Sequence, residues 1–208
     1  MLGYATSTGT RRNLAGLRAA GWGLLLTPDR PEARGFDRIL IDNGAWGCFQ
    51  RKEPWDAGRF VRLLALHPTA QIVVAPDIVC GGDSSLALSL SWLDRLAQPG
   101  RIVLIPVQDG MCATDLASHV GAQVGLFVGG STAWKESSLP MWGALAQAAG
   151  CYLHVGRVNS ARRIRLCAMA GADSFDGTSA SRFAVTLPPL DFAARQSAFL
   201  FVEESCAF

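Results

Sequence analysis

Eight short apolar runs recur along the chain, each closed on its C-terminal side by Gly, Asp, Asn or Ser. They are "LGYAT" at 2–6, "GLLLT" at 23–27, "RILID" at 38–42, "IVVAPD" at 72–77, "IVLIPVQ" at 102–108, "VGLFVG" at 124–129, "YLHVG" at 152–156 and "DSFDG" at 173–177. Their length and their Gly and Asp boundaries read as strands. Helical patterns fill most of the gaps. "RRNLAGLRAA" follows Thr10 as a cap and stops at Gly21, and "SSLALSLSWLDRLA" starts at a Ser cap and ends before Pro99 and Gly100. "LPMWGALAQAA" carries Pro140 near its first turn and stops at Gly150, and "SARRIRLCAMA" stops at Gly171. The segment from Pro28 to Asp37 is short and Pro-rich, so one crossover is expected to lack a helix.

Alternating strands and helices predict a parallel sheet with right-handed crossovers. Eight units in 208 residues correspond to a compact (β/α)8 barrel forming a single domain over residues 1–208. Periodicity does not show closure, so an open doubly wound sheet stays as the alternative. Half of the composition is apolar, enough to fill a core without staples. No apolar run approaches a membrane span and the N-terminus lacks a leader pattern, so a soluble, unexported, cytoplasmic protein is expected. Residues 190–208 are expected to form a C-terminal helix and tail on the barrel. Their apolar "FLFVEESCAF" would equally suit a second subunit, which leaves a homodimer open.

The six cysteines stand singly, without the paired spacing of a zinc cage, and are read as free buried thiols with no metal. A net charge of +2 does not by itself announce a nucleic-acid binder. Arg157, Arg162, Arg163 and Arg165 nevertheless cluster within nine residues, as a binding stripe or as a solvated helix face.

In a barrel of this kind the working site lies at the C-terminal strand ends. Those ends carry Asp42 and Asn43, Asp77, Gln108 and Asp109, Gly129 and Gly130, His154 and Arg157, and Asp176. Each has a plain structural role open to it: an Asx turn for Asp42, a loop cap for Asp77, a satisfied core position for His154, a helix-to-strand turn for Asp173, an ordinary helix face for Asp115 and His119. Three carboxylates gathered at strand ends are costly unless used, however. Two carboxylates suffice for substitution at a sugar carbon, and Trp46 beside Asp42 suits stacking on a heterocycle.

Four motifs, in order, resemble those of the tRNA-guanine transglycosylase superfamily. "IDNGAWGCFQ" is similar to its Asp-Ser-Gly-Gly-aromatic-Gln motif, "PVQDG" to its Val-Gln-Gly-Gly segment and "VGLFVGG" to its Gly-Gly-Leu-Ala-Val-Gly-Glu loop. "LHVGRVNSARRIRLCAMAGADSFDGTSASR" is similar to the stretch from its Gly-Val-Gly-Lys loop to Phe-Asp-Cys-Val-x-Pro-Thr-Arg. The matches span about residues 38 to 183. The resemblance implies a barrel that exchanges guanine in a nucleic acid for a free 7-deazaguanine base, with no cofactor. It implies Asp176 as the nucleophile on C1′, Asp42 as the acid/base carboxylate and Trp46 as the stacking aromatic. Asp77 and Gln108 would read the purine edge, with Asn43, Gly129 and His154 beside them and Gly125 giving a backbone contact. Arg157 and Arg182 would lie near phosphates.

The chain departs from that pattern in lacking the C-x-C-x-x-C zinc motif, in carrying Gly130 where the family has Glu, and in lacking the Pro-Thr of the nucleophile segment. Only 25 residues follow Phe183. In these respects it resembles the short, zinc-free phage and bacterial branch that inserts 7-deazaguanine into DNA, the deoxypurine-in-DNA family, whose products disguise phage DNA from restriction. The missing Glu favours an uncharged or nitrile-bearing base. A tRNA substrate, a free-nucleoside deoxyribosyltransferase and a non-catalytic nucleic-acid-binding subunit stay as alternatives. Chemistry at C1′ would require single-stranded or flipped DNA.

Overall fold

The eight apolar runs form eight parallel strands that close on themselves. The structure is a computed structural model, and residues 1–196 are the described residues. The strands are β1 (Leu2–Thr6), β2 (Gly23–Leu26), β3 (Ile39–Ile41), β4 (Ile72–Val74), β5 (Ile102–Val107), β6 (Val124–Val128), β7 (Leu153–Val155) and β8 (Ser174–Gly177). Each pairs in parallel with the next, and β8 returns to β1 with Leu2 opposite Ser174 and Tyr4 opposite Asp176. The open doubly wound alternative is thereby excluded, and the fold is a (β/α)8 barrel.

Alternation along each strand divides the apolar residues into two cores. Tyr4, Leu25, Leu40, Ile72, Val74 and Leu104 fill the barrel lumen. Leu24, Leu26, Ile41, Val73, Ile105 and Leu126 face outward under the helices. Each such side chain, fully buried, contributes about 1.5–3 kcal/mol. Strands β2 to β6 are therefore apolar on both faces, whereas β7 and β8 carry the buried polar residues His154, Ser174 and Asp176.

The helices are α1 (Arg11–Ala19), α2 (Ala45–Arg51), α3 (Ala57–Leu66), α4 (Asp83–Leu96), α5 (Ala113–Leu116), α6 (Thr132–Ala149), α7 (Ala161–Met169), α8 (Ser179–Arg182) and α9 (Leu187–Gln196). Thr10 caps α1 by accepting from the Asn13 N–H, as its spacing predicts. The β2–β3 connection carries no helix, in line with its prolines, and only a Thr27–Arg30 bridge tightens it.

Three expectations are corrected. The cap of α4 is Gly82, at φ 52°, and not a serine. Helix α6 starts at Thr132, with the Ser131 hydroxyl accepting from Trp134 N–H, so Pro140 lies mid-helix and not in the first turn. The polar opening "STAWKESS" disguised that first half, and a single missing N–H is tolerated because the surrounding turns pack. His119 falls beyond the short α5 and shares no helix face with Asp115, whose Oδ2 accepts from Cys112 N–H at 2.9 Å.

Helix α9 covers the outside of the barrel through Leu190, Ala193 and Ala194, while Asp191 accepts from the Trp22 indole N–H at 2.9 Å. The expected packing of the C-terminal region thus holds for 190–196, and the remainder, with Cys206, lies outside the described residues. Of the described cysteines, all free, Cys151 and Cys167 are buried as expected. Cys80 and Cys112 are exposed and Cys48 is half-buried, because they sit in the loops above the strands and on α2. Among the described residues no helix is long and apolar enough to cross a membrane.

Candidate active site

The C-terminal strand ends surround a cavity of about 420 Å³, lined by Asp42, Asp77, Asp176, Trp46, Phe127 and Arg157 among others. Its size suits a purine-sized ligand. Three carboxylates converge there, each held differently.

Asp176 is the penultimate residue of β8 and is 6% exposed. Its Oδ1 accepts from the Arg157 backbone N–H at 3.1 Å, and its Oδ2 lies 3.1 Å from His154 Nε2. His154 is fully buried, its Nδ1 2.7 Å from Ser174 Oγ, and it stacks on Phe127 with ring centroids 5.0 Å apart. It is both a satisfied core residue and the support of Asp176. Arg157 adopts φ 58°, a left-handed conformation uncommon for a side-chain-bearing residue, and this turns its N–H toward the carboxylate. Only glycine fits at 156, where a Cβ would meet Phe127 Cζ at 2.7 Å and Asp176 Oδ2 at 3.3 Å.

Asp42 follows β3. Its Oδ1 accepts from Gly44 N–H at 2.7 Å, completing the Asx turn, while Oδ2 has no protein partner among the described residues. Burial pushes its carboxyl up, and the neighbouring charges of Asp176 and Asp77 push further, against the Gly44 hydrogen bond, to about 7. Asp77 is raised to about 6 by burial, although Asn43 donates to its Oδ1 at 3.0 Å. Clustered carboxyls whose proton affinity is raised toward neutral pH suit acid/base work.

The two amides expected at the purine edge have other engagements. Gln108 Nε2 donates to Ile78 O and Ser85 Oγ, both at 2.8 Å, and its Oε1 accepts from Cys80 N–H at 2.7 Å. Both of its donors are spent, one on the loop between β4 and α4 and one on the first turn of α4. Asn43 likewise donates to Ala75 O and Asp77 and accepts from Ala45 N–H. They line the cavity but act by shaping it.

Gly125 is not brought to the site. It is the second residue of β6, away from the C-terminal mouth, and a Cβ there would meet Tyr152 O at 2.3 Å. It allows close strand packing. Gly129 does line the mouth. A side chain at Gly130, φ 69°, would collide with Asp109 Oδ2 and Trp134 Cε3, each at 2.6 Å, so no glutamate fits where the resembled family carries one. Asp109 holds that loop through the Ser131 N–H and hydroxyl, both at 2.6 Å.

Trp46 is 40% exposed at the mouth and Arg157 extends over its ring. Arg182 is exposed on α8 outside the cavity. The arginine cluster does not form one stripe: Arg157 turns into the site, and Arg162 and Arg163 both bind Glu136 at 2.8 Å. Asp173 serves the turn, accepting from Leu153 N–H at 2.8 Å.

Two residues of the site went unread in the sequence. Phe127 is legible in retrospect from the alternation of β6, which points Gly125 and Phe127 inward. Lys135, 4% exposed in the first turn of α6, donates from Nζ to Gly156 O beneath the site. Among the described residues no group of three or more His, Cys, Asp or Glu side chains is placed to hold a metal.

No family model matches the chain. No curated protein matches it at a significant level. Among solved structures, it is similar to CitE from Mycobacterium tuberculosis, described as complexed with the triphosphate group of ATP, with a TM-score of 0.56 and 15% identity over 93% of this chain and 96% of that one. It is also similar to tryptophan synthase from M. tuberculosis, in an aminoacrylate- and BRD0059-bound form, with a TM-score of 0.57 and 15% identity over 95% and 90%. At that identity the likeness establishes the (β/α)8 fold and nothing finer.

Proposed function

We propose that the protein is a glycosyltransferase that exchanges guanine in DNA for a free 7-deazaguanine base through a covalent aspartyl intermediate. The observation that carries this reading is Asp176: a carboxylate with each oxygen held by one donor, facing a base-sized cavity across from a carboxyl raised to about 7. Asp176 attacks C1′ as the C1′–N9 bond breaks, and the departing purine takes the bonding pair and the proton of Asp42. The Asp42 carboxylate then removes the N9 proton of the incoming base, which attacks C1′ and frees Asp176.

Asp77 keeps acceptor capacity beyond its bond from Asn43, and it faces the cavity to receive the purine's N–H donors. Phe127 and Trp46 supply apolar walls. The lack of room for a glutamate at Gly130, with the neighbouring Asp109 carboxylate engaged by the Ser131 N–H and hydroxyl, supports an incoming base without a cationic substituent. DNA is proposed as the polymer on the zinc-free form of the resemblance.

The test is denaturing electrophoresis after incubation with labelled guanine-containing single-stranded DNA, duplex DNA and tRNA. Wild type is expected to yield a slower band with single-stranded DNA, and Asp176→Asn none. An adduct with tRNA alone would reassign the polymer. No adduct together with no exchange of labelled base would overturn the reading in favour of a binding protein.

A further inference from the structure

Helix α6 buries a lysine that forms none of the ion pairs among the described residues. Burying an ammonium is costly, and Lys135 meets the cost with a carbonyl: Nζ donates to Gly156 O. That oxygen belongs to the same peptide unit as the Arg157 N–H, which donates to Asp176 Oδ1 at 3.1 Å. Ammonium and carboxylate therefore sit at opposite ends of one planar peptide group.

We infer that Lys135 is a positioning residue for Asp176, fixing the plane of the Gly156–Arg157 peptide and polarising its N–H toward the nucleophilic carboxylate. Gly156 lacks a Cβ, and Arg157 occupies a left-handed conformation, so this peptide is free to flip at small backbone cost. A flip would aim the Gly156 carbonyl at Asp176 and withdraw its donor. The Lys135 hydrogen bond opposes it, and a charged donor on the oxygen strengthens the N–H as a donor in turn.

The groups facing Lys135 set when the ammonium persists. Burial lowers its proton affinity most; Arg157 on the loop after β7 and Arg163 on α7 act in the same direction, while Asp176 on β8 and Cys167 on α7 oppose them. Glu136, next to it on α6, is engaged by Arg162 and Arg163. The balance lies at about 8. Below that pH Lys135 keeps its ammonium on the Gly156 carbonyl; above it the ammonium is lost.

The catalytic part of this inference rests on the transglycosylase reading, and the test separates the two. In isotopically labelled protein, NMR follows the Gly156 carbonyl carbon and the Arg157 amide across the alkaline range. Both resonances are expected to titrate together with a midpoint near 8 in wild type. They are expected to be displaced and flat in Lys135→Met, and close to wild type but flat in Lys135→Arg, which keeps its charge. Wild-type resonances that stay flat while the Lys135 side-chain signal titrates overturn the inference, and this arm needs no variant to fold. Where an adduct forms, Lys135→Met is expected to slow its formation about tenfold at unchanged substrate affinity, with Lys135→Arg recovering most of the rate. Coupled resonances without any adduct would sink the transglycosylase reading and leave the coupling intact.

Discussion

The guanidinium of Arg157 lies 4.4 Å from the centroid of the Trp46 ring, so the aromatic expected to stack on a base already carries a planar cation. Phe49 stacks against the same indole at 5.8 Å. A base entering between Trp46 and Arg157 must replace a cation–π contact of about 0.5–2 kcal/mol with its own stacking. Trp46→Ala is therefore expected to weaken free 7-deazaguanine binding by about 1–3 kcal/mol, measured by calorimetry. Arg157→Ala is expected to leave that affinity unchanged or improved. A clear loss in Arg157→Ala would place the guanidinium, and not the indole, against the base.

The raised proton affinity of Asp42 has a consequence for stability. Its carboxyl titrates near the ordinary 3.8 when unfolded and at about 7 when folded, so the folded state binds the extra proton between those values. Stability from this group is complete below about pH 4 and is lost as pH rises through about 7. Asp42→Asn keeps an oxygen for the Gly44 N–H and cannot ionise. Relative to that variant, wild type is expected to lose about 4 kcal/mol across the interval in urea denaturation. Parallel pH profiles would show Asp42 to be solvated.

Most strands were legible because they are short apolar runs buried on both faces, and burial of that kind leaves its mark on consecutive residues. The site was legible in its carboxylates, since Asp42 directly follows β3, Asp77 lies three residues past β4 and Asp176 stands near the end of β8. Side-chain polar partners were not. Gln108 reaches a loop 28 to 30 residues earlier, and Arg163 reaches Glu136 across 27 positions. No local pattern encodes those pairings. Lys135 was hidden for the same reason: a lysine in a polar first turn reads as solvated until the loop that it supports is placed above it.

Gln108 separates a base-reading role from a scaffolding one. Its amide ties Ile78, Cys80 and Ser85 together, and removing it takes the side-chain partner from the Cys80 N–H and the Ile78 carbonyl. Gln108→Leu is expected to cost about 1–3 kcal/mol of stability and to quicken hydrogen exchange at the Cys80 amide. Loss of base affinity with unchanged exchange at Cys80 would return Gln108 to the purine edge.

Arg182 bears on the polymer. It stands exposed outside the cavity, 5.9 Å from the Phe183 ring centroid and without a carboxylate in ion-pair range among the described residues. Its neighbour Ser181, fully buried, places a hydroxyl 3.0 Å from Thr8 Oγ1 and 3.2 Å from Thr6 Oγ1, which ties α8 to the end of β1. A phosphate held there releases a counterion, so Arg182→Ala is expected to weaken single-stranded DNA binding and reduce the salt slope of log K by about 0.7. The free-base affinity should not change, because the residue does not line the cavity. Arg162→Ala provides the comparison, since that guanidinium is already engaged by Glu136 at 2.8 Å and is expected to alter the slope less. Equal slopes in wild type and Arg182→Ala would move the phosphate path away from α8.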